Sequence, residues 1–219
     1  MTALPRCQTA QAMCIYYGVF DKSELPRAYE SLINIVEDDG EKLNCGMLGL
    51  RVIFHALSDC GRGDLAYKMI TRTDYPSYGM FVKRGLTSLP EDFITDEDID
   101  SPNSLNHHFF GDIASWFIQK VAGIAVNPYN GNPCEFLIRP DFIPVLDFAK
   151  AHYDAPCGRI AAGWKREGEK VTLTLEVPGN AEGYIRLPEG WVFDADRDSR
   201  PDGSNFIPLE AGKFTCRRI

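Results

Sequence analysis

The stretch "GLRVIFHALSDCGRGDLAYKMITRT", residues 49–73, decides the fold. Its apolar residues recur at three- and four-residue spacing, Gly61 interrupts the pattern, and Asp64 stands where a second helix needs an N-cap. The spacing predicts two helices joined by a short turn, hence antiparallel neighbours. Upstream the same grammar repeats. "CQTAQAMCIYYGVF" (7–20) reads as a helix ending at Gly18, and "SELPRAYESLINIVEDDG" (23–40) as one that starts at a Ser23 cap, accepts Pro26 in its first turn and stops at Gly40. In the latter, Leu25, Ala28, Tyr29, Leu32, Ile33 and Val36 fall on one face. Downstream, "DIASWFIQKVAGI" (112–124) predicts one more helix.

The texture changes at "NPYNGNPCE" (127–135). Beyond it the period falls to two, in "FLIRP", "RIAAGWKRE", "KVTLTLEVPG" and "GYIRLPEGWVF". "WKREGEKVTLTLEV" (164–177) predicts a hairpin turning at Gly168. The expected architecture is therefore a two-domain α+β chain, with helical hairpins over residues 1–130 and an antiparallel β-sandwich over 131–219. The apolar residues of "AMCIYYGVF" surround most of a helix circumference and call for neighbours on both sides. Since that helix starts almost at Met1, the expectation is that part of the helical fold lies outside this chain.

Composition narrows the function classes. A net charge of −8, with no stripe of Lys and Arg, argues against nucleic acid and anionic membrane as partners. No apolar run approaches the roughly 20 residues that span a bilayer. The seven cysteines are scattered, with no C-x-x-C pair, so neither a zinc site nor another resident metal or cofactor is expected, and a reducing, cytoplasmic setting fits them best. Arg62-Gly63-Asp64 reads as a helix stop followed by a cap in preference to an adhesion tripeptide. Asp96, Asp98 and Asp100 alternate like a calcium loop, but Ser101 and His107 replace its Gly and Glu, which favours a solvated acidic loop.

That loop belongs to "RGLTSLPEDFITDEDIDSPNSLNHHFFG" (84–111), a connection much longer than usual between helices. Pro90 fixes the backbone before Glu91 and can hold that carboxylate in a set direction. His107 and His108 are adjacent, so in regular structure one can face a polar cleft while the other packs.

Taken as a set, "QTAQAMCIYYGVF", "LNCGMLGLRVIFHALSDCGRGDLAYKMITRTDYPSYGMFVKRGLTSLPEDF", "SLNHHFFGDIASWF" and "GRIAAGWKREGEKVTLTLEVP" resemble, in order, the bacterial α-L-rhamnosidase family of glycoside hydrolases. The resemblance implies an (α/α)6 toroid followed by a C-terminal β-sandwich, and a rhamnose-containing glycoside as substrate. Through Thr87-Ser88-Leu89-Pro90-Glu91 it implies that Glu91 is the general base of an inverting hydrolysis. It implies further that His107 contacts sugar hydroxyls, and that Tyr78, where relatives carry Trp, lines the sugar site. Departures from the family pattern are Pro90 for Trp, Cys45 and Leu50 for threonines, and Met47 for an aromatic residue. Inverting glycosidases need two carboxyl groups roughly 6.5–9.5 Å apart. The family's general acid lies upstream of the region matched here, so the resemblance implies a partner for Glu91 outside this chain. The alternatives are a non-catalytic carbohydrate-binding or interaction fragment, half of a split glycosidase that pairs with its N-terminal half or with itself, and a different (α/α)6 glycosidase.

Overall fold

A computed structural model describes residues 1–93, 103–126, 131–194 and 205–219. It resolves into two compact units, Met1–Ala114 and Ser115–Ile219.

The first unit is built from α1 (Gln8–Tyr16), α2 (Leu25–Asp38), α3 (Met47–Asp59), α4 (Gly63–Thr71) and α5 (Tyr78–Lys83), followed by a 3-10 turn (His108–Asp112). The expected helical hairpins are present. Gly18, Gly40, Gly61 and Gly85 each take positive φ just past a helix end. At each stop two amides return to helix carbonyls: at Gly61, for example, Gly61 N donates to Ser58 O (3.0 Å) and Arg62 N to Leu57 O (2.8 Å). The starts differ from expectation. The α2 cap is Glu24, so Ser23 lies outside the helix, and α4 begins at Gly63 with Arg62 as its cap. Asp64 instead sits in the first turn, where the helix dipole favours a carboxylate, 3.1 Å from Arg62 Nε. The short α5 carries too few residues for a periodic signal. Its cap is visible in hindsight: Ser77 Oγ accepts from Met80 N at 3.1 Å.

The helix enclosed on both sides is α3, and α1 is not: Gly49 through Ser58, apart from exposed Arg51, are buried in α3, whereas Tyr16 of α1 stays 45% exposed. Around α3 lie α1, α2, α4 and the 3-10 turn. Gly49 permits the close crossing of α1, since a Cβ there would sit 2.5 Å from Thr9 Oγ1. Two glutamines of α1 are fully enclosed yet satisfied. Gln11 donates to Ala28 O (2.8 Å) and accepts from Ala3 N (2.6 Å), while Gln8 donates to Asp39 and Lys42 O and accepts from Asn44 N. They tie α2, the loop that follows it and the N-terminal segment to α1.

The second unit takes in α6 (Ile113–Trp116), which begins two residues upstream of it, and a π turn (Phe117–Val121). The predicted helix ends there, because Ile124 already belongs to a strand. Among the described residues nine strands follow: β1 (Ile124–Val126), β2 (Glu135–Ile138), β3 (Phe148–Ala155), β4 (Gly158–Glu167), β5 (Lys170–Glu176), β6 (Glu182–Arg186), β7 (Trp191–Phe193), β8 (Phe206–Pro208) and β9 (Gly212–Arg218). They form two sheets in the orders β1-β2-β6-β8 and β3-β4-β5-β9-β7. Pairing is antiparallel except between β2 and β6, which run parallel. The β4–β5 hairpin turns at Gly168 as its sequence predicts, with Glu167 opposite Lys170. Alternate residues such as Ile160, Ala162, Trp164, Val171, Leu173 and Leu175 point into the core with Phe136, Ile138 and Ile185 of the facing sheet. Trp164 Nε1 donates to Val121 O at 2.7 Å, and Arg166 lies over the Trp164 and Trp191 rings.

Candidate functional site

The loop singled out by its length is pinned where it leaves α5 and where it returns. On the outgoing side Pro90 is buried, and Phe93 packs on Phe81 (5.5 Å between centroids) and Phe110 (5.0 Å). On the returning side residues 104–107 run back along residues 88–91. His107 N donates to Leu89 O at 2.8 Å, Glu91 N donates to Ser104 O at 2.9 Å, and Ser88 Oγ donates to Leu105 O. One residue farther out, Asn103 Nδ2 donates to Asp92 Oδ2 at 2.8 Å. This ladder brings Glu91 and His107, sixteen positions apart in sequence, onto one clamp. Asp96, Asp98 and Asp100 lie outside the described residues.

Glu91 is half-buried between the enclosed Pro90 and Phe93. His107, also half-buried, caps the 3-10 turn: its Nδ1 accepts from Phe109 N at 3.5 Å. In the neutral ring that leaves Nε2 as the N–H donor, suited to a hydroxyl oxygen. His108 is exposed and stacks on His107 at 5.3 Å, and Phe109, 44% exposed, stands 4.5 Å from both rings. The clamp thus presents the Glu91 carboxylate and a group of three partly exposed rings, a combination that can activate water and stack on a sugar or an aglycone.

Tyr78 lies behind this surface. It is 7% exposed, and its hydroxyl donates to Phe110 O at 3.0 Å, two residues past His108. Its ring is packed against Phe54, Phe81, Phe93 and Phe110. Burial raises its pKa well above the ordinary phenol value. The hydroxyl therefore ties the start of α5 to the turn opened by His107.

Sequence reasoning passed over a second polar group beside the first. Asp112, closing the 3-10 turn, is half-buried, and desolvation raises its carboxyl pKa while Arg51 opposes the rise. Burial, with Asp112 next, also raises the Tyr16 phenol, whose ring packs 5.7 Å from the buried His55. These residues come from three elements, so no local motif announces them.

Comparison with known proteins matches both halves of the chain. Residues 4–121 match the model of the bacterial α-L-rhamnosidase six-hairpin glycosidase domain, and residues 134–195 that of the bacterial α-L-rhamnosidase C-terminal domain. An α-L-rhamnosidase of Formosa agariphila is 31% identical over 82% of this chain, and one of an Alteromonas species 28% identical over 97%. The chain spans 19% and 24% of the lengths of those two relatives. Among solved structures, the α-L-rhamnosidase of Dictyoglumus thermophilum superposes with a TM-score of 0.80 at 23% identity, over 96% of this chain and 25% of that one. The Streptomyces avermitilis α-L-rhamnosidase complexed with L-rhamnose gives 0.80 at 23%, over 95% of this chain and 21% of that one. These likenesses carry the fold: helical hairpins of a six-hairpin toroid, then a β-sandwich. With more than half of its residues inside the glycosidase-domain match, the chain belongs to the bacterial α-L-rhamnosidase family.

Proposed function

We propose that this chain contributes the general base and part of the sugar-binding wall to an α-L-rhamnosidase that releases terminal α-L-rhamnose with inversion. The observation that carries this reading is the clamp: paired backbone hydrogen bonds hold Glu91 and His107, the two residues singled out by the family resemblance, on adjoining segments. Glu91 takes a proton from the attacking water. His107 donates Nε2–H to a sugar hydroxyl, the His108 and Phe109 rings add stacking surface, and Tyr78 shapes the site by holding the turn behind it. The general acid comes from the rest of such a catalytic domain, of which the curated relatives are four to five times as long as this chain. In domain terms residues 1–130 belong to the glycosidase domain and 131–219 to the β-domain, a division supported by the family matches over 4–121 and 134–195.

The test is reconstitution. The chain is mixed with a polypeptide carrying the remainder of a rhamnosidase catalytic domain and assayed on p-nitrophenyl α-L-rhamnoside, with NMR of the first-formed sugar. Turnover yielding β-L-rhamnose is expected, falling about 10²–10⁴-fold in Glu91→Gln. Azide should restore the Glu91→Ala protein and appear as the β-rhamnosyl azide. Turnover indifferent to Glu91 would remove its role as base. Turnover by the chain alone that depends on Glu91 would place the acid within these residues.

A further inference from the structure

Two cysteines meet at one end of the β-unit, away from the clamp in sequence and independent of the rhamnosidase reading. Cys134 stands one residue before β2, its amide donating to Asn132 Oδ1 at 3.0 Å and its carbonyl accepting from Glu182 N at 2.9 Å. Cys157 lies in the turn between β3 and β4, where Ala155 faces Gly158. The link from β5 to β6 holds the two places together. A Cβ on Gly158 would sit 3.4 Å from the Pro178 ring, Pro178 O accepts from Ala181 N at 3.0 Å, and the next residue is the Glu182 that binds Cys134. The turn of the five-stranded sheet and the entry to the four-stranded sheet therefore converge on the same five residues. There Cys134 is close enough to Cys157 to raise its thiol pKa.

Both cysteines are partly exposed. Cys216 is buried, and burial pushes the thiols of Cys45 and Cys216 up to about 12. A thiol held that high is nearly unreactive at neutral pH, because only the thiolate attacks. All seven cysteines are free thiols in this structure.

We propose that Cys134 and Cys157 form a dithiol site that reacts with small disulfides and closes into a cross-link between the two sheets. Cys134 raises the pKa of the Cys157 thiol beside it, which keeps its proton, so the first attack falls to Cys134. Its thiolate displaces one thiolate from the small disulfide and leaves a mixed disulfide on Cys134. Cys157 then loses its proton and attacks the Cys134 sulfur, expelling the second small thiolate. The protein has given up two protons and two electrons, and one small disulfide has become two thiols. Closure brings the two sulfurs to about 2.05 Å.

The chain is treated with oxidised glutathione, the remaining thiols are blocked, and tryptic peptides are read by mass spectrometry beside Cys134→Ser and Cys157→Ser variants. The expected result is a linkage between the Cys134 and Cys157 peptides, reversed by dithiothreitol, with a higher melting temperature in the oxidised protein. In Cys157→Ser the glutathione adduct should persist on Cys134, because nothing displaces it. Stable glutathione adducts on both cysteines of the unaltered chain would overturn the proposal. So would a different cysteine pair linking first, or a Cys157→Ser adduct no longer-lived than that of the unaltered chain.

Discussion

Removing one oxygen, in Tyr78→Phe, separates a tyrosine that touches sugar from one that holds the wall of the site. The ring contacts to Phe54, Phe81, Phe93 and Phe110 survive, and only the 3.0 Å hydrogen bond to Phe110 O is lost. The carbonyl left behind is buried, so the cost is that of the bond plus part of a desolvation penalty, about 1–2 kcal/mol. For a unit of 114 residues this lowers the melting temperature by roughly 3–8 °C. Tyr78→Ala removes the ring as well and costs about 3–5 kcal/mol. A second readout has a definite sign. Burial raises the Tyr78 pKa, so above about pH 10 an unfolded tyrosine ionises while the folded one keeps its proton. The folded state then binds more protons, and stability falls by up to about 1.4 kcal/mol per pH unit as pH rises. Tyr78→Phe loses that contribution, so its urea midpoint should decline less steeply between pH 9 and 11. Circular dichroism melts and urea titrations give both quantities, and calorimetry with L-rhamnose on the reconstituted enzyme gives affinity. An unchanged melting temperature and alkaline slope, with weakened rhamnose binding, would mean that the hydroxyl meets sugar and that its bond to Phe110 does not stabilise the turn.

Three further outcomes are expected from the same structure. Trp164→Phe keeps the core filled but leaves Val121 O without its 2.7 Å donor, and should cost about 1–3 kcal/mol in urea unfolding. Gly183→Ala should abolish the parallel β2–β6 pairing, because Gly183 has φ +132° and a Cβ there would lie 1.8 Å from Phe136 O. Such a contact forces the strands apart, and loss of the cooperative melt of the β-unit is the readout. Cys216, fully buried between the sheets, has its thiol pushed up by burial to about 12, so from about pH 9 the unfolded thiol ionises first and stability falls as pH rises through that window. Cys216→Ala should flatten the decline by up to about 1.4 kcal/mol per pH unit, whatever the substitution does to stability at pH 7.

What the sequence shows of this molecule follows from the range of the forces involved. Helix stops are local: a residue at positive φ and two returning amides need only the last turn, so Gly18, Gly40 and Gly61 marked the hairpins without any tertiary knowledge. Starts were less legible, because a cap is optional where packing already holds the helix, and neither Ser23 nor Asp64 is used as one. Strands β4 and β5 alternate cleanly, since one face is core and the other is not. β3 went unread because its inward residues are alanines, Ala149, Ala151 and Ala155, which carry little hydrophobic contrast. The edge strand β8 is too short to show a period. At the site, residue types and a family pattern pointed to Glu91 and His107, but not to the reason they stand together. That reason is chiefly the pair of backbone bonds from His107 N to Leu89 O and from Glu91 N to Ser104 O, made of main-chain groups that no side chain signals. Tyr78 shows the same limit from the other side: its aromatic character was plain, while its enclosure by four phenylalanines from α3, α5 and the two ends of a long loop became visible only in three dimensions. Asp112 and Tyr16 complete the pattern, being ordinary surface residue types whose pKa shifts come from burial that no neighbour in sequence announces.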